Sequence, residues 1–337
     1  MRVRSVVYAL LWLSLMRVDG AAFAQLGPEA PMLAHQTLSP FAIDAPDAVE
    51  TGLFTYNPAA AVGAKDYQIR NFLELDGGRI SFDNGPGVDT YIQTYWGSSG
   101  NNYFRIARYD FESDIAPMPR ILPSGISAQF AGEAWALTYA REDFGVRWGI
   151  TWFPRNESTT RLFVDSPAGP QLIAYGEAES DLCGRIGFQV PVTDDLTFGA
   201  AYHRDESDTW FLPPPALAQD GANGPLTGSY ETDVVVVGLA WRPRLGTTVS
   251  LDFENGDIEG PNVSESINIW YVALEQFLSP KFSVKVTNLD QAWGVGLNYY
   301  KSADYILGMS FGPSGFRRTG EYLGNADLLY GWFATTW

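Results

Sequence analysis

Through its second half the chain alternates large apolar residues with small or polar ones, segment after segment. In 247–254 the odd positions carry Thr247, Val249, Leu251 and Phe253, and the even ones Thr248, Ser250, Asp252 and Glu254. Trp293, Val295, Leu297 and Tyr299 alternate with Gly294, Gly296, Asn298 and Tyr300, and Tyr305, Leu307, Met309 and Phe311 with Ile306, Gly308, Ser310 and Gly312. Val146, Trp148, Ile150 and Trp152 share a face against Arg147, Gly149 and Thr151. Phe282, Val284 and Val286 oppose Lys281, Ser283, Lys285 and Thr287. Successive side chains of a strand point to opposite faces, so a period of two specifies extended chain. No stretch of similar length repeats at 3.6 residues.

A soluble sandwich and a membrane barrel both alternate in this way. Two features separate them. The apolar faces carry Trp, Tyr and Phe near strand ends, where a membrane barrel places its interfacial girdles. The opposite faces carry Gly, Ser, Asn and Thr rather than the Lys and Glu of a soluble surface. The aromatic content fits a girdled barrel, with 11 Trp, 17 Tyr and 20 Phe in 337 residues.

The remaining composition works by exclusion. With 46% hydrophobic and 18% charged residues the chain can bury a large surface, which argues against disorder. Cys183 is the single cysteine, so a disulfide framework is excluded. Thirty-nine acidic residues against 22 basic ones, a formal charge of −17, argue against a nucleic-acid partner. His35 and His203 are the only histidines and leave little room for a His-rich metal site.

Residues 1–24 read as a secretory signal peptide. Arg2 and Arg4 precede the apolar run 6–15, and Ala22-Phe23-Ala24 offers a small-x-small cleavage site before Gln25. That run is about half the ~20 residues a membrane helix needs, and nothing after residue 24 is longer. A membrane location for this chain therefore requires a closed barrel, the other structure that satisfies its own backbone.

The connections alternate as well. Short turns are expected at 193–195, 243–246, 279–280 and 301–303. Longer links are expected at 206–232, 255–265 and 312–326, and 289–291 breaks the pattern. Short turns on one rim and long loops on the other is the outer-membrane arrangement. Strands are expected near 327–337, 304–311, 292–300, 281–288, 266–278, 247–254, 233–242, 197–205, 171–192, 145–153, 134–141 and 124–131. At least two more fall within 66–111. The expected fold is an all-β, transmembrane antiparallel barrel of about 14 strands (12–16), an even number that leaves both termini in the periplasm. The last strand runs to Trp337 with Leu329 and Phe333 at even spacing, which resembles the C-terminal signal read by the barrel-assembly machinery.

No catalytic constellation, cofactor motif or metal-ligand spacing stands out. His203 precedes Arg204-Asp205-Glu206 and reads as a rim histidine in an acidic loop. Asp252, Glu254 and Asp257 read as a solvated acidic loop, since their spacing does not match a calcium-binding loop. Cys183 sits in an expected strand and reads as inert. Gly97-Ser98-Ser99-Gly100 and Pro123-Ser124-Gly125 read as turns. The expectation is a protein that is not an enzyme.

Between signal and barrel (66–337) lies a segment, 25–65, with Pro28, Pro31, Pro40, Pro46 and Pro58 and no alternation. It contains Ala45-Pro46-Asp47-Ala48-Val49-Glu50-Thr51-Gly52-Leu53-Phe54-Thr55-Tyr56-Asn57-Pro58-Ala59-Ala60. This resembles the N-terminal segment of the FadL-like long-chain fatty-acid and hydrocarbon transporters, in which an aromatic-Asn-Pro-Ala-Gly motif precedes the first strand. Tyr56, Asn57, Pro58 and Ala59 match, and Ala60 stands where Gly is usual. Looser agreement extends to 194–202 and 238–243. The resemblance implies a 14-strand outer-membrane barrel plugged by a periplasmic hatch at 25–65, with Tyr56, Asn57, Pro58 and Ala59 where the hatch meets the wall. It further implies passive uptake of fatty-acid-like or aromatic compounds. Phe211, Leu212 and Leu217, around Pro213-Pro214-Pro215, are the candidates for capturing such a ligand outside the cell. Expected partners are outer-membrane lipid, the assembly machinery and a hydrophobic small molecule. The alternative is a non-transporting barrel, structural or secretion-associated, that holds an exported partner.

Overall fold

The computed structural model describes residues 57–67, 71–82, 85–118, 122, 124–212, 225–261, 264–289, 292–302, 305–313 and 326–336. The signal peptide, residues 25–56 with Tyr56, and Leu217 and Trp337 lie outside the described residues.

A 3-10 helix, Pro58–Tyr67, precedes fifteen strands: β1 (Asn71–Phe82), β2 (Val88–Ser99), β3 (Asn102–Ser113), β4 (Ala116–Pro117), β5 (Ile126–Asp143), β6 (Val146–Val164), β7 (Gln171–Pro191), β8 (Leu196–Leu212), β9 (Leu226–Arg244), β10 (Thr247–Glu259), β11 (Ser264–Ser279), β12 (Phe282–Leu289), β13 (Ala292–Ser302), β14 (Tyr305–Pro313) and β15 (Ala326–Thr336). Sequence neighbours pair antiparallel around a ring. It closes where β1 pairs with β15, and the two-residue β4 sits on the edge of β5 while β3 pairs with β5 directly. The result is a closed barrel of 14 strands plus β4. Closure removes the free edges that would template aggregation.

The expected strand number is met through two compensating differences. Residues 124–131 and 134–141 belong to the single strand β5, and the region 66–111, expected to hold at least two strands, contributes to three, one more than that minimum. Several strands also extend further than expected. The supposed link 206–232 shrinks to 213–225, and 255–265 shrinks to 260–263, because β8, β9 and β10 continue through sequence rich in Asp, Glu and Thr.

The reason the expected strand 145–153 falls short of β6 is visible in its faces. Gly149, Thr151 and Phe153 point inward, but beyond Pro154 the inward set is Asn156, Ser158, Thr160 and Leu162. The parity flips across a bulge opposite Ala136. On β7 it flips again at Asp181, between Ala178 and Cys183. Pro154 has no N–H to give to a ladder. There β6 and β7 stop pairing, between Trp152↔Gly184 and Glu157↔Glu179.

Large apolar side chains face outward, as the alternation requires of a wall in lipid. Leu251 is 44% exposed and its neighbour Ser250 1%. Aromatic pairs ring the end where β1 begins and β15 ends: Phe104 with Tyr139, Tyr139 with Trp148, Phe188 with Phe198, and Phe277 with Tyr300. In the turn at that end Asp195 accepts hydrogen bonds from the Thr193 hydroxyl and the Trp241 indole. These hold its carboxyl below the usual range. Toward the opposite end the outward face turns ionic. Arg79 pairs with Asp89 and Asp114, Arg155 with Glu133 and Glu157, and Arg204 with Glu206, Glu231 and Asp233. A band of apolar wall between an aromatic ring and an ionic belt is the outline of a membrane crossing.

Candidate functional site

The inner surface of the barrel holds three arrangements, stacked from the terminal end inward. The first is the seat of the N-terminal segment. Asn57 is fully buried, and its side-chain Nδ2 donates to the carbonyls of Phe188 (3.0 Å) and Ala200 (3.2 Å) on β7 and β8. Its Oδ1 accepts from the Ala59 N–H (2.9 Å), and its backbone carbonyl from the Ala60 N–H (3.0 Å). One side chain thus caps the 3-10 helix and ties it to the wall. Pro58 follows at the first helical position, where a missing N–H costs nothing.

The wall is shaped to receive this turn. Ala140, Gly149, Gly187 and Ala201 form one register row across β5, β6, β7 and β8. A Cβ on Gly149 would stand 2.7 Å from the Pro58 carbonyl carbon, and one on Gly187 would stand 2.1 Å from Asn57 Oδ1. Only glycine lets the segment lie this close. Ala59, Ala60, Ala61 and Val62 are buried in turn, with Ala61 and Val62 in an apolar cluster with Trp96, Tyr103, Ala140 and Ala334. In the sequence Gly149 stood out only as a small residue opposite an apolar face, and Gly187 not at all. Their pairing needs the strand register, which no single strand reveals.

The second arrangement is a charged layer at mid-wall. Glu74 and Asp76 of β1 are buried and interact electrostatically with Arg105 of β3. Arg105 lies 5.7 Å from the Trp96 ring centroid and donates to the Tyr109 hydroxyl (2.8 Å). Across the barrel, Asp252 and Glu254 of β10 are fully buried, and the Asp252 carboxylate lies over Gly238, whose Cβ would meet it at 1.8 Å. This corrects the sequence reading of Asp252 and Glu254 as a solvated loop: they are inward positions of a strand, while Asp257 faces out and accepts from the Ser266 hydroxyl (2.7 Å). His203 is likewise no rim residue. It is buried in the middle of β8, because that strand continues nine residues past it.

The third is an apolar lining farther from the termini. Phe211 is buried there with Tyr109, Phe111, Phe130, Leu162 and Met118. Of the capture candidates, Phe211 therefore points inward and Leu212, exposed, outward. In β15, Leu329 faces outward and is exposed, and Phe333, of the same parity, is half-buried.

A closed 14-strand wall with an apolar outer band defines a transmembrane β-barrel. No family model and no curated protein matches the sequence. Among solved structures the fold is similar to that of the toluene transporter TbuX of Ralstonia pickettii, at 11% identity, covering 88% of this chain and 97% of that one with a TM-score of 0.57. The toluene transporter TodX of Pseudomonas putida is similar at 12% identity, with coverage of 88% and 96% and a TM-score of 0.54. A deltaS2S3 mutant of TodX, described as a monoaromatic hydrocarbon channel, gives 11%, 89%, 100% and 0.56. Identities this low carry the fold.

Proposed function

We propose that this chain is a FadL-like barrel of the bacterial outer membrane that admits hydrophobic small molecules by passive diffusion past an N-terminal hatch. The observation that carries the reading is the seat of Asn57, Pro58 and Ala59 on the paired glycines Gly149 and Gly187. A segment that only hung below the barrel would need neither the glycines nor the two hydrogen bonds to wall carbonyls. The likeness of the fold to two toluene transporters supports the substrate class, fatty-acid-like or aromatic. The apolar lining around Phe211 offers such a compound a surface, and Leu212 closes β8 where the chain leaves for the link in which it would first be met.

The test has two arms. Vesicles containing the full-length chain should take up toluene faster than empty vesicles, and equal rates would remove the transport reading. In planar bilayers, deletion of 26–64 should leave a folded barrel, since the wall's pairing begins at Asn71, and should raise its conductance. A conductance unchanged from that of the full chain would mean that the segment plugs nothing.

A further inference from the structure

Beside the interruption of the wall between β6 and β7, the inner faces of β7 and β8 bring together a thiol, an imidazole and a carboxylate. Cys183 is the register partner of Asp205, and Arg185 that of His203. His203 and Asp205 are two residues apart on β8 and so share a face. Opposed residues of paired strands hold their Cβ atoms about 4.5–5.5 Å apart, so the backbone alone gathers these groups. In the structure a ligand atom from each of Cys183, His203 and Asp205 lies within 4.8 Å of the other two, and all three residues are buried.

We propose that Cys183, His203 and Asp205 form a site for a borderline-soft divalent cation of the zinc class on the inner wall. The chemistry is that of zinc: thiolate sulfur, imidazole nitrogen and carboxylate oxygen, bound at about 2.0–2.3 Å. Tetrahedral bonds of that length set ligand atoms roughly 3.3–3.8 Å apart, so the three groups must contract by about 1 Å. The wall allows it. Cys183 lies in the stretch of β7 that makes no pairs with β6, next to the bulge at Asp181, and is not locked on that side.

The surroundings resemble the supporting shell that orients metal ligands. Asn156 Nδ2 lies within reach of Ser180 Oγ (2.9 Å), Asp205 Oδ2 (3.3 Å) and Cys183 Sγ (3.7 Å), and so can orient the carboxylate and the sulfur. Phe153 stands edge-on to His203, with ring centroids 6.5 Å apart and planes at 85°. Arg185 Nε donates to His203 Nδ1 at 3.4 Å, a long contact. Its guanidinium also lies over the Phe153 ring at 5.2 Å, which holds it when that nitrogen turns to the metal. Binding releases the thiol proton, and three protein ligands leave a fourth position facing the lumen.

The experiment uses the untagged full-length chain, folded in detergent and titrated with Co2+. Cobalt bound to a thiolate absorbs by sulfur-to-metal charge transfer, and Cys183 is the only sulfhydryl in the chain. One Co2+ per chain should produce that band, and Zn2+ should abolish it by displacement. Cys183→Ser should lose the band, and His203→Gln and Asp205→Asn should each weaken binding at least tenfold. Asn156→Ala should weaken it by about tenfold. Cys183→Ser changes one atom, and heat-dependent gel mobility checks that each variant is folded. No band from the folded wild type, a band that survives in Cys183→Ser, or affinity unchanged in both His203→Gln and Asp205→Asn would overturn the proposal.

Discussion

The two sides of the barrel are built to different plans. On one side β12 to β15 are 8, 11, 9 and 11 residues long; on the other β5 to β9 are 18, 19, 21, 17 and 19. A tilted strand crosses a bilayer in ~9–11 residues. The short side is therefore little more than a crossing, and the long side continues for roughly 25–35 Å beyond it at about 3.4 Å per residue. The additions are all on the long side: both bulges of β6 and β7, the seat of Asn57, the Cys183–His203–Asp205 group and much of the ionic belt. Membrane thickness fixes the minimum wall, and what exceeds the minimum is free to carry function.

The comparison breaks first if the long strands do not leave the membrane where the ionic belt says they do. Ile150 and Thr159 are both outward positions of β6, on either side of the parity flip. Ile150→Arg should cost roughly 2–4 kcal/mol, as should Leu251→Arg, while Thr159→Arg should cost about 0–1 kcal/mol. Reversible unfolding in lipid vesicles checks this, and equal losses at Ile150 and Thr159 would put the whole of β6 in lipid.

A smaller effect is expected at the seat. Asn57→Ala removes two side-chain hydrogen bonds to the wall and the cap on the helix, and should cost about 1–3 kcal/mol in the same assay. Gly187→Ala should loosen the segment without touching its sequence, read as faster proteolysis near residue 57. A segment as resistant as wild type would mean that the wall yields more than its paired backbone suggests.

The smallest effect belongs to the belt. Arg204→Ala deletes three ion pairs, yet these lie on the outer surface and are screened, so the loss should be the smallest of the series and shrink in high salt. A larger, salt-independent loss would show that the belt is dry.

How much could be read beforehand follows the same division. The short side was legible almost residue by residue, because Trp293, Val295, Leu297 and Tyr299 keep one phase from end to end against small inward neighbours. The long side misled for a local reason. Where Pro154 slips the phase of β6, a period-two reading ends at 153 although the strand runs on to Val164, whereas β7 was read as one strand through its slip at Asp181. Toward their outer ends both faces of β8, β9 and β10 carry polar residues, and that run of Asp, Glu and Thr drew the inward Asp252, Glu254 and His203 into a loop reading. The Asn-Pro-Ala turn was conspicuous in sequence, but its receptor, Gly149 beside Gly187, exists only once two strands are in register.

The pairing of β1 with β15 also constrains how such a wall can be made. Phe72 and Thr336 are partners across 264 residues of chain. Bringing them together costs the chain entropy of nearly its whole length, and non-local pairings of that kind form slowly. Until the last strand arrives, β1 and β14 are open edges with backbone groups unmet, so an unfinished chain is a sticky sheet rather than a smaller barrel. The 11 residues of β15 turn an aggregation-prone intermediate into a sealed cylinder in a single step.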